Sequence, residues 1–144
     1  MRHIKTEIII NAPADKVWGI FFDNQKYPDW NPFIVSVDKP YKEGDTLKVT
    51  LNQPGSKPMT LKPRCLKLVP EKELRWLGHL FIHGLFDGEH IFELETLDDG
   101  STRFIQREEF GGILVSVFWK MLDTKTRKGF EMMNEKLKEL AESS

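Results

Sequence analysis

The sequence predicts an α+β fold in which an antiparallel sheet packs against one long C-terminal helix. Two observations predict it: a succession of short segments with alternating apolar residues, and a final segment in which apolar residues recur every three or four positions. Alternation is typical of strands with one buried face, and the longer spacing is typical of an amphipathic helix. Because 144 residues form one ordinary core, we predict a single domain over residues 1–144.

The first elements are a strand and two short helices. Ile4, Thr6, Ile8 and Ile10 alternate, which predicts a strand over Arg2 to Asn11. Proline is favoured at the first position of a helix, and the apolar residues that follow have helical spacing, so we predict a helix from Pro13 to Phe22. Asp23 can cap a second short helix that ends at Tyr27, before Pro28.

The middle of the chain predicts six further strands, which makes seven in all. They fall near Phe33–Val37, Leu47–Leu51, Met59–Val69, Glu73–Leu80, Asp87–Leu97 and Thr102–Phe110. Short turns join them, so we expect an antiparallel meander. The longest periodic element, Met121 to Ala141, has one apolar stripe and one charged side, which predicts the terminal helix.

The last hairpin has a predictable register. A three-residue loop, Asp98-Asp99-Gly100, suits a type I turn followed by a left-handed glycine. It places Leu94 opposite Phe104, Phe92 opposite Gln106 and His90 opposite Glu108, with Glu95 and Arg103 on the other face. One face is therefore apolar and becomes polar at its far end, which is typical of a small-molecule pocket.

Composition excludes several classes of protein. Lys and Arg total 21 against 22 Asp and Glu, which argues against a nucleic-acid binder. No apolar stretch approaches the roughly 20 residues needed to span a bilayer, and we expect no stable membrane insertion. Cys65 is the only cysteine, and the N-terminus lacks a secretory pattern, so we expect a cytoplasmic protein. His79 and His83 are four residues apart, but they lie in a predicted strand-to-loop region and not on one helix. We therefore expect no metal and no cofactor.

Six segments resemble the START/Bet v 1-like (SRPBCC) superfamily, particularly its polyketide cyclase/dehydrase-like bacterial members. They are Ile10–Trp18 (INAPADKVW), Phe22–Asp23 (FD), Tyr27–Phe33 (YPDWNPF), Leu74–Trp76 (LRW), Thr102–Phe104 (TRF) and Glu108–Gly112 (EEFGG). The resemblance implies a helix-grip fold, in which a bent seven-stranded antiparallel sheet wraps around the terminal helix. It also implies an apolar cavity between sheet and helix for a lipid, polyketide or similar molecule.

The resemblance further implies which residues line the cavity. They are Trp30, Phe33, Trp76, Gly78, His90, Phe92, Phe104, Gln106, Glu108, Phe130 and Met133. His90, Gln106 and Glu108 would orient a ligand, and His90 with Glu108 are the candidates for general acid–base chemistry. The alternative for these two is a buried pair that only joins two strands. Gly129 either leaves space for ligand or permits close helix packing.

Three functions stay open on the sequence. The first is the binding of a small lipophilic ligand, and the second is a cyclase/dehydratase-type enzyme that uses the same cavity. The third is an interaction protein similar to the activator of the Hsp90 ATPase, in which the outer sheet surface would matter. The apolar segment Phe110–Leu122 is interpreted as a lid, as core packing, or as a contact with a second copy or a membrane surface.

Overall fold

The computed structural model describes residues 2–80 and 84–143, except for the side chain of Leu80; His83 lies outside the described residues. The strands are β1 (Arg2–Ile10), β2 (Ile34–Val37), β3 (Val49–Leu51), β4 (Met59–Leu61), β5 (Arg64–Val69), β6 (Glu73–Leu80), β7 (Phe86–Thr96) and β8 (Thr102–Gly111). The helices are α1 (Ala14–Phe22), α2 (Tyr27–Trp30), α3 (Val115–Met121) and α4 (Arg127–Glu142), with a 3₁₀ turn at Asn24–Lys26.

The described strands form two antiparallel sheets. One has five strands in the order β1-β8-β7-β6-β5, and the other has three in the order β2-β3-β4. The single strand predicted between Met59 and Val69 is divided into β4 and β5. Pro63 lies at the division, and a proline cannot donate a ladder hydrogen bond from its nitrogen. The described residues therefore contain eight strands, where the sequence predicts seven.

Hydrogen bonds beside Pro63 connect the two sheets. The Leu47 amide donates to the Pro63 carbonyl at 2.8 Å, and the Cys65 amide donates to Asp45 at the same distance. Thr46 and Arg64 form an isolated antiparallel bridge between these bonds. The chain therefore passes from one sheet to the other at Pro63, and the backbone groups beside this residue stay hydrogen-bonded. The predicted α+β architecture, with an antiparallel sheet and a long C-terminal helix, is confirmed.

The C-terminal helix begins earlier than predicted. It runs from Val115 through α3, a π-helical segment at Leu122–Thr126, and α4. The added turns pack on the sheet, because Val115 and Leu122 are buried and the Phe118 ring lies 5.8 Å from that of Phe86. Ile113 and Val117 face outward, so the apolar segment packs with one face and exposes the other.

The core lies between the five-stranded sheet and the C-terminal helix, and α1 covers one end of it. Its largest fully buried side chains include Tyr27, Phe21 and Phe33. The ring of Phe33 lies against Gly129 of α4, where a Cβ would overlap the ring. The space beside Gly129 is therefore occupied by the close packing of a side chain. No helix among the described residues is long and apolar enough to span a membrane.

Candidate functional site

The β7–β8 hairpin has the predicted register. His90 pairs with Glu108, Phe92 with Gln106, and Leu94 with Phe104. On the opposite face, Arg103 donates to Glu95 at 3.0 Å. The inward face therefore changes along the strands from aromatic to polar, and the polar end is directed toward α3 and the π-helical segment.

A buried chain of hydrogen bonds determines the tautomer of His90. The Gln106 amide nitrogen donates to Asn134 Oδ1 at 2.9 Å, which leaves its Oε1 to accept from His90 Nε2 at 3.0 Å. The Asn134 amide donates to the Thr6 hydroxyl at 2.9 Å, and Thr6 donates to the Gln106 backbone carbonyl at 3.1 Å. His90 therefore carries its proton on Nε2, and its Nδ1 is a free lone pair.

Burial keeps His90 neutral. Its ring stacks on Phe92 with centroids 4.2 Å apart, and Phe130 and Trp76 enclose it at 4.8 and 5.3 Å. Desolvation by these rings lowers the pKa of His90 to about 3, although the hydrogen bond that His90 donates to Gln106 acts in the opposite direction. At neutral pH the imidazole is a fixed, uncharged element of the core.

Glu108 has the opposite shift from the same physical cause. Desolvation raises the pKa of its carboxyl to about 8, so the group holds its proton at neutral pH. Its Oε1 lies 3.7 Å from His90 Nδ1, which is longer than a hydrogen bond. No hydrogen bond within residues 2–80 and 84–143 ties the carboxyl down, and 16% of the side chain is exposed. Glu108 can therefore donate its proton to a new partner, because no hydrogen bond among the described residues fixes the orientation of its carboxyl.

One glycine, Gly88, makes room for this carboxyl, and a second, Gly78, lies beside it. Gly78 of β6 and Gly88 of β7 lie opposite each other in the sheet. A Cβ at position 88 would overlap Oε2 of Glu108, and so only glycine allows the carboxyl to lie across β7. Because neither residue carries a side chain, the sheet surface is hollow here.

A cavity of about 60 Å³ occupies this hollow, between the sheet and the π-helical segment. Its lining is mainly apolar, with few polar groups, and comprises Phe33, Leu51, Gln53, Met59, Leu61, Trp76, Gly78, His79, Phe86, Gly88, Glu108, Phe110, Met121, Leu122 and Thr126. Met59, Leu61 and Met121 are half-buried, and they form its rim together with His79.

The structure places the eleven predicted site residues in four different surroundings. Phe33, Trp76, Gly78 and Glu108 line the cavity. His90 and Gln106 belong to the buried polar chain next to it, and Phe92, Phe104, Phe130 and Met133 lie in the fully packed core. Trp30 lies apart, because α2 directs Tyr27 inward and leaves Trp30 beside Gly19 and Leu140 in a shallow surface depression. A ligand-binding role for each of the eleven residues stays a prediction.

Sequence reasoning missed the lining from β3, β4 and the π-helical segment. Thr126 had a visible signal, because it is a polar residue within the apolar stripe of the helix, four positions after Leu122. Gln53 and Met59 had none, since they lie in or beside a loop without periodicity.

The described residues contain no group of three or more His, Cys, Asp or Glu side chains placed to hold a metal ion. His79 Nδ1 and Asp87 Oδ1 are 2.6 Å apart at the cavity rim. The Cys65 thiol is buried, and desolvation together with the nearby Glu43 carboxylate raises its pKa. A raised pKa makes a thiol a poor nucleophile, so the chemistry available here is that of Glu108.

Comparisons with known structures support the fold. The ZhuI aromatase/cyclase from Streptomyces sp. R1128 matches with a TM-score of 0.78 at 18% identity, over 98% of this chain and 93% of that one. Protein MLL2253 from Mesorhizobium loti matches at 0.73 and 19% identity, over 96% of each chain. Ara h 8.0201 matches at 0.64 and 16% identity, over 94% of this chain and 97% of that one. A comparison with curated protein sequences gives no significant match.

The family comparison covers almost the whole chain. The model of the family described as "Polyketide cyclase / dehydrase and lipid transport" matches residues 1–142. The aromatase/cyclase and Ara h 8.0201 structures share this fold. The chain therefore belongs to the polyketide cyclase/dehydrase and lipid transport family.

Proposed function

We propose that this protein binds a small lipophilic molecule in the cavity between its curved sheet and its C-terminal helix. The observation that carries the proposal is an apolar hollow into which one protonated carboxyl, that of Glu108, is directed. Apolar walls with a few placed polar groups are the usual construction of ligand sites. The family description and the aromatase/cyclase neighbour support the same class of ligand.

The size of the cavity shows what binding requires. At about 60 Å³ it is smaller than the cavity of roughly 150 Å³ that accommodates benzene in a well-studied case. A lipid or polyketide therefore enters only if the rim moves. Two of its half-buried apolar residues, Met59 and Met121, have the flexible side chains that adapt to irregular shapes. Each ligand methylene that becomes buried adds roughly 0.8 kcal/mol to the binding free energy.

The polar groups have unequal parts in this proposal. Of His90, Gln106 and Glu108, only Glu108 lines the cavity, and its proton can be donated to a ligand oxygen. His90 donates a hydrogen bond to Gln106, and Gln106 donates one to Asn134. These two residues therefore support the structure beside Glu108. Orientation of the ligand by the predicted trio thus depends on one direct contact and two supporting residues.

Native mass spectrometry of the purified protein, combined with titration of the neutral dye Nile red, tests the proposal. We expect a copurified lipophile, or dye fluorescence that rises on binding. Met121→Trp fills the rim and should remove both signals. Val117→Trp is the matched control, because Val117 lies on the same helix with its side chain 72% exposed, and it should keep them. A wild-type protein that binds neither lipophile nor dye contradicts the proposal.

One observation also favours an enzyme of the cyclase/dehydratase kind. Cyclisation and dehydration need a group that protonates a carbonyl or hydroxyl oxygen, and a carboxyl with a pKa of about 8 holds that proton at neutral pH. We infer that Glu108 is the general acid of such a reaction.

Exchange of ketone protons tests the acid role separately from binding. Acetophenone in D₂O exchanges its methyl protons through its enol, which forms when an acid protonates the carbonyl oxygen and water removes a methyl proton. Deuteration of the enol carbon then returns the ketone, and NMR follows the loss of signal. We expect the wild-type protein to accelerate the exchange and Glu108→Gln to abolish the acceleration, with affinity changed less than about tenfold. A protein that binds acetophenone without accelerating exchange is a binding protein only.

A further inference from the structure

Two large apolar side chains at the start of the C-terminal helix face outward. Ile113 is 76% exposed and Val117 is 72% exposed, whereas the next most exposed large apolar residue of the described chain, Ile9, is 43% exposed. Ile113 and Val117 are four residues apart, which places them one helical turn apart on the same side. Scattered apolar side chains are common on protein surfaces, but neighbouring ones indicate a surface that contacts a partner. We call these two residues the apolar patch.

The apolar patch adjoins the rim of the cavity. Met121 lies one turn after Val117, is half-buried and lines the cavity. Leu114 and Phe118, on the inner side of the same turns, pack against the core. The helix is therefore held by its inner side while it exposes the patch, and a partner that covers the patch also meets the cavity rim.

The sequence around the apolar patch and the cavity carries charge of one sign. Residues 110–122, which include the patch, contain Lys120 as their only charged residue. Residues 51–63, which also contribute to the cavity wall, contain Lys57 and Lys62 and no Asp or Glu. All three lysines are exposed. An anionic partner would therefore meet cations on both sides of the cavity.

The nearest carboxylates do not offset these cations. Glu109 and Asp123 flank residues 110–122, and each forms an ion pair with an arginine, at 3.4 Å and 2.7 Å. Asp87, next to the rim, lies 2.6 Å from His79. Lys125, in the π-helical segment, is a further exposed cation. This end of the molecule is thus positively charged, although the chain as a whole has a formal net charge of −1.

We propose that the apolar patch docks on the surface of an anionic lipid bilayer, with the neighbouring lysines on the headgroups and the cavity rim facing the lipid. Apolar contact and attraction to anionic headgroups together give peripheral binding. Two exposed apolar side chains bury only a small area, so the binding is reversible. The inference concerns the outer surface, and it holds whether or not the cavity takes a ligand.

A second copy of the chain is a poorer occupant of the same patch. In a twofold contact the same surface meets itself, so Lys120 of one copy would lie near the lysines of the other. Like charges brought together oppose association. An anionic bilayer offers both an apolar layer for Ile113 and Val117 and negative charge for the lysines.

Co-sedimentation of the full chain with phospholipid vesicles tests the inference. We expect binding to an equimolar mixture of phosphatidylcholine and phosphatidylserine. Binding to phosphatidylcholine alone should be at least about tenfold weaker, because each lysine near an anionic surface contributes about fivefold. Val117→Ser should weaken binding to the mixed vesicles by about tenfold through lost apolar burial. Lys120→Gln should weaken it by about fivefold.

Two control variants change the same residue types elsewhere. Ile9→Ser alters an exposed apolar side chain on the part of β1 that pairs with the start of β8, whereas α3 follows the end of β8. Lys72→Gln alters an exposed lysine just before β6, and the cavity lies toward the other end of that strand. Both variants should sediment with the mixed vesicles like the wild-type protein.

Four results would overturn the inference. They are no sedimentation with either vesicle, equal binding to the two vesicles, unchanged binding in Val117→Ser, and a dimer in solution that Val117→Ser dissociates. The last result would assign the apolar patch to a second copy of the chain. Because Nile red binding is measured without vesicles, each of these results leaves the proposed function standing.

Discussion

The interior of the protein has two adjoining regions built from the same sheet and helix. In the first, around His90 and Gln106, the polar groups are paired and aromatic rings fill the space. In the second, around Glu108 and Thr126, the hydroxyl is unpaired, the carboxyl is untied, and a hollow of about 60 Å³ stays open. Paired polar groups stabilise a fold, whereas unpaired ones beside a hollow are suited to a ligand. We therefore call the first the closed region and the second the open region.

The largest expected difference between the regions comes from truncation of apolar side chains. Phe92 is fully buried in the closed region, and Phe92→Ala should lower the free energy of unfolding by about 3–5 kcal/mol through lost burial and an unfilled cavity. Met59 is half-buried at the rim of the open region, and Met59→Ala should cost less than about 1.5 kcal/mol. Urea denaturation measures both, and equal losses would remove the distinction.

The pH dependence of stability should show both regions at once. Glu108 has a folded pKa of about 8 against 4.5 for the free group, so the folded protein binds more protons than the unfolded chain between these values. The free energy of unfolding then falls as pH rises from about 4.5 to 8. His90 has a folded pKa of about 3 against 6.5, and so its contribution falls as pH decreases from about 6.5 to 3.

We expect these two contributions to cancel between about pH 4.5 and 6.5 and to give a maximum there. The loss on the alkaline side is at most about 2 kcal/mol, because only the range from about pH 6.5 to 8 contributes to it, at about 1.4 kcal/mol per pH unit. Glu108→Gln should flatten that side, whereas Glu109→Gln, with a side chain 43% exposed, should not. Denaturant midpoints at several pH values measure this, and a wild-type curve that is level above pH 6.5 would contradict it.

Two glycines allow a comparison at the scale of one methyl group. At Gly129 of the closed region, a Cβ overlaps the rigid Phe33 ring, so Gly129→Ala should cost about 1–3 kcal/mol despite the higher helix propensity of alanine. At Gly88 of the open region, the overlap is with the end of a flexible side chain, that of Glu108. Gly88→Ala should cost little stability but move the carboxyl toward water and lower its pKa. Calorimetry would show whether Gly129→Ala loses stability and Gly88→Ala keeps it. Infrared spectra of the carboxyl group would show whether Gly88→Ala lowers the pKa of Glu108.

The smallest expected effect comes from a pair of threonines. Thr6→Val removes a hydroxyl that links Asn134 to Gln106, and it should cost about 1–3 kcal/mol because two partners lose their bonds. Thr126→Val removes an unpaired hydroxyl, so the melting temperature should stay level or rise slightly. A clear loss of stability in Thr126→Val would mean that its hydroxyl is paired within the fold, and the open region would no longer differ from the closed one at this residue.

Part of the candidate site could be predicted from the sequence. The pairing of His90 with Glu108 follows from a three-residue loop and the alternation of apolar residues, both of which are local features. The placement of Trp30 could not be predicted in the same way, because a four-residue helix has no periodicity long enough to define its buried face. The lining from β3 and β4 was also inaccessible, since it depends on the corner that the chain makes at Pro63.

By itself, the sequence determined the α+β architecture, the hairpin register and the apolar stripe of the last helix, because each depends on spacing between near neighbours. Only the tertiary structure decided where the interior stays open. That position results from Gly78 meeting Gly88 across two strands and from the Phe33 ring occupying the space beside Gly129. These contacts join residues far apart in the chain, and whether rings fill a space or leave it empty depends on how all of them pack together.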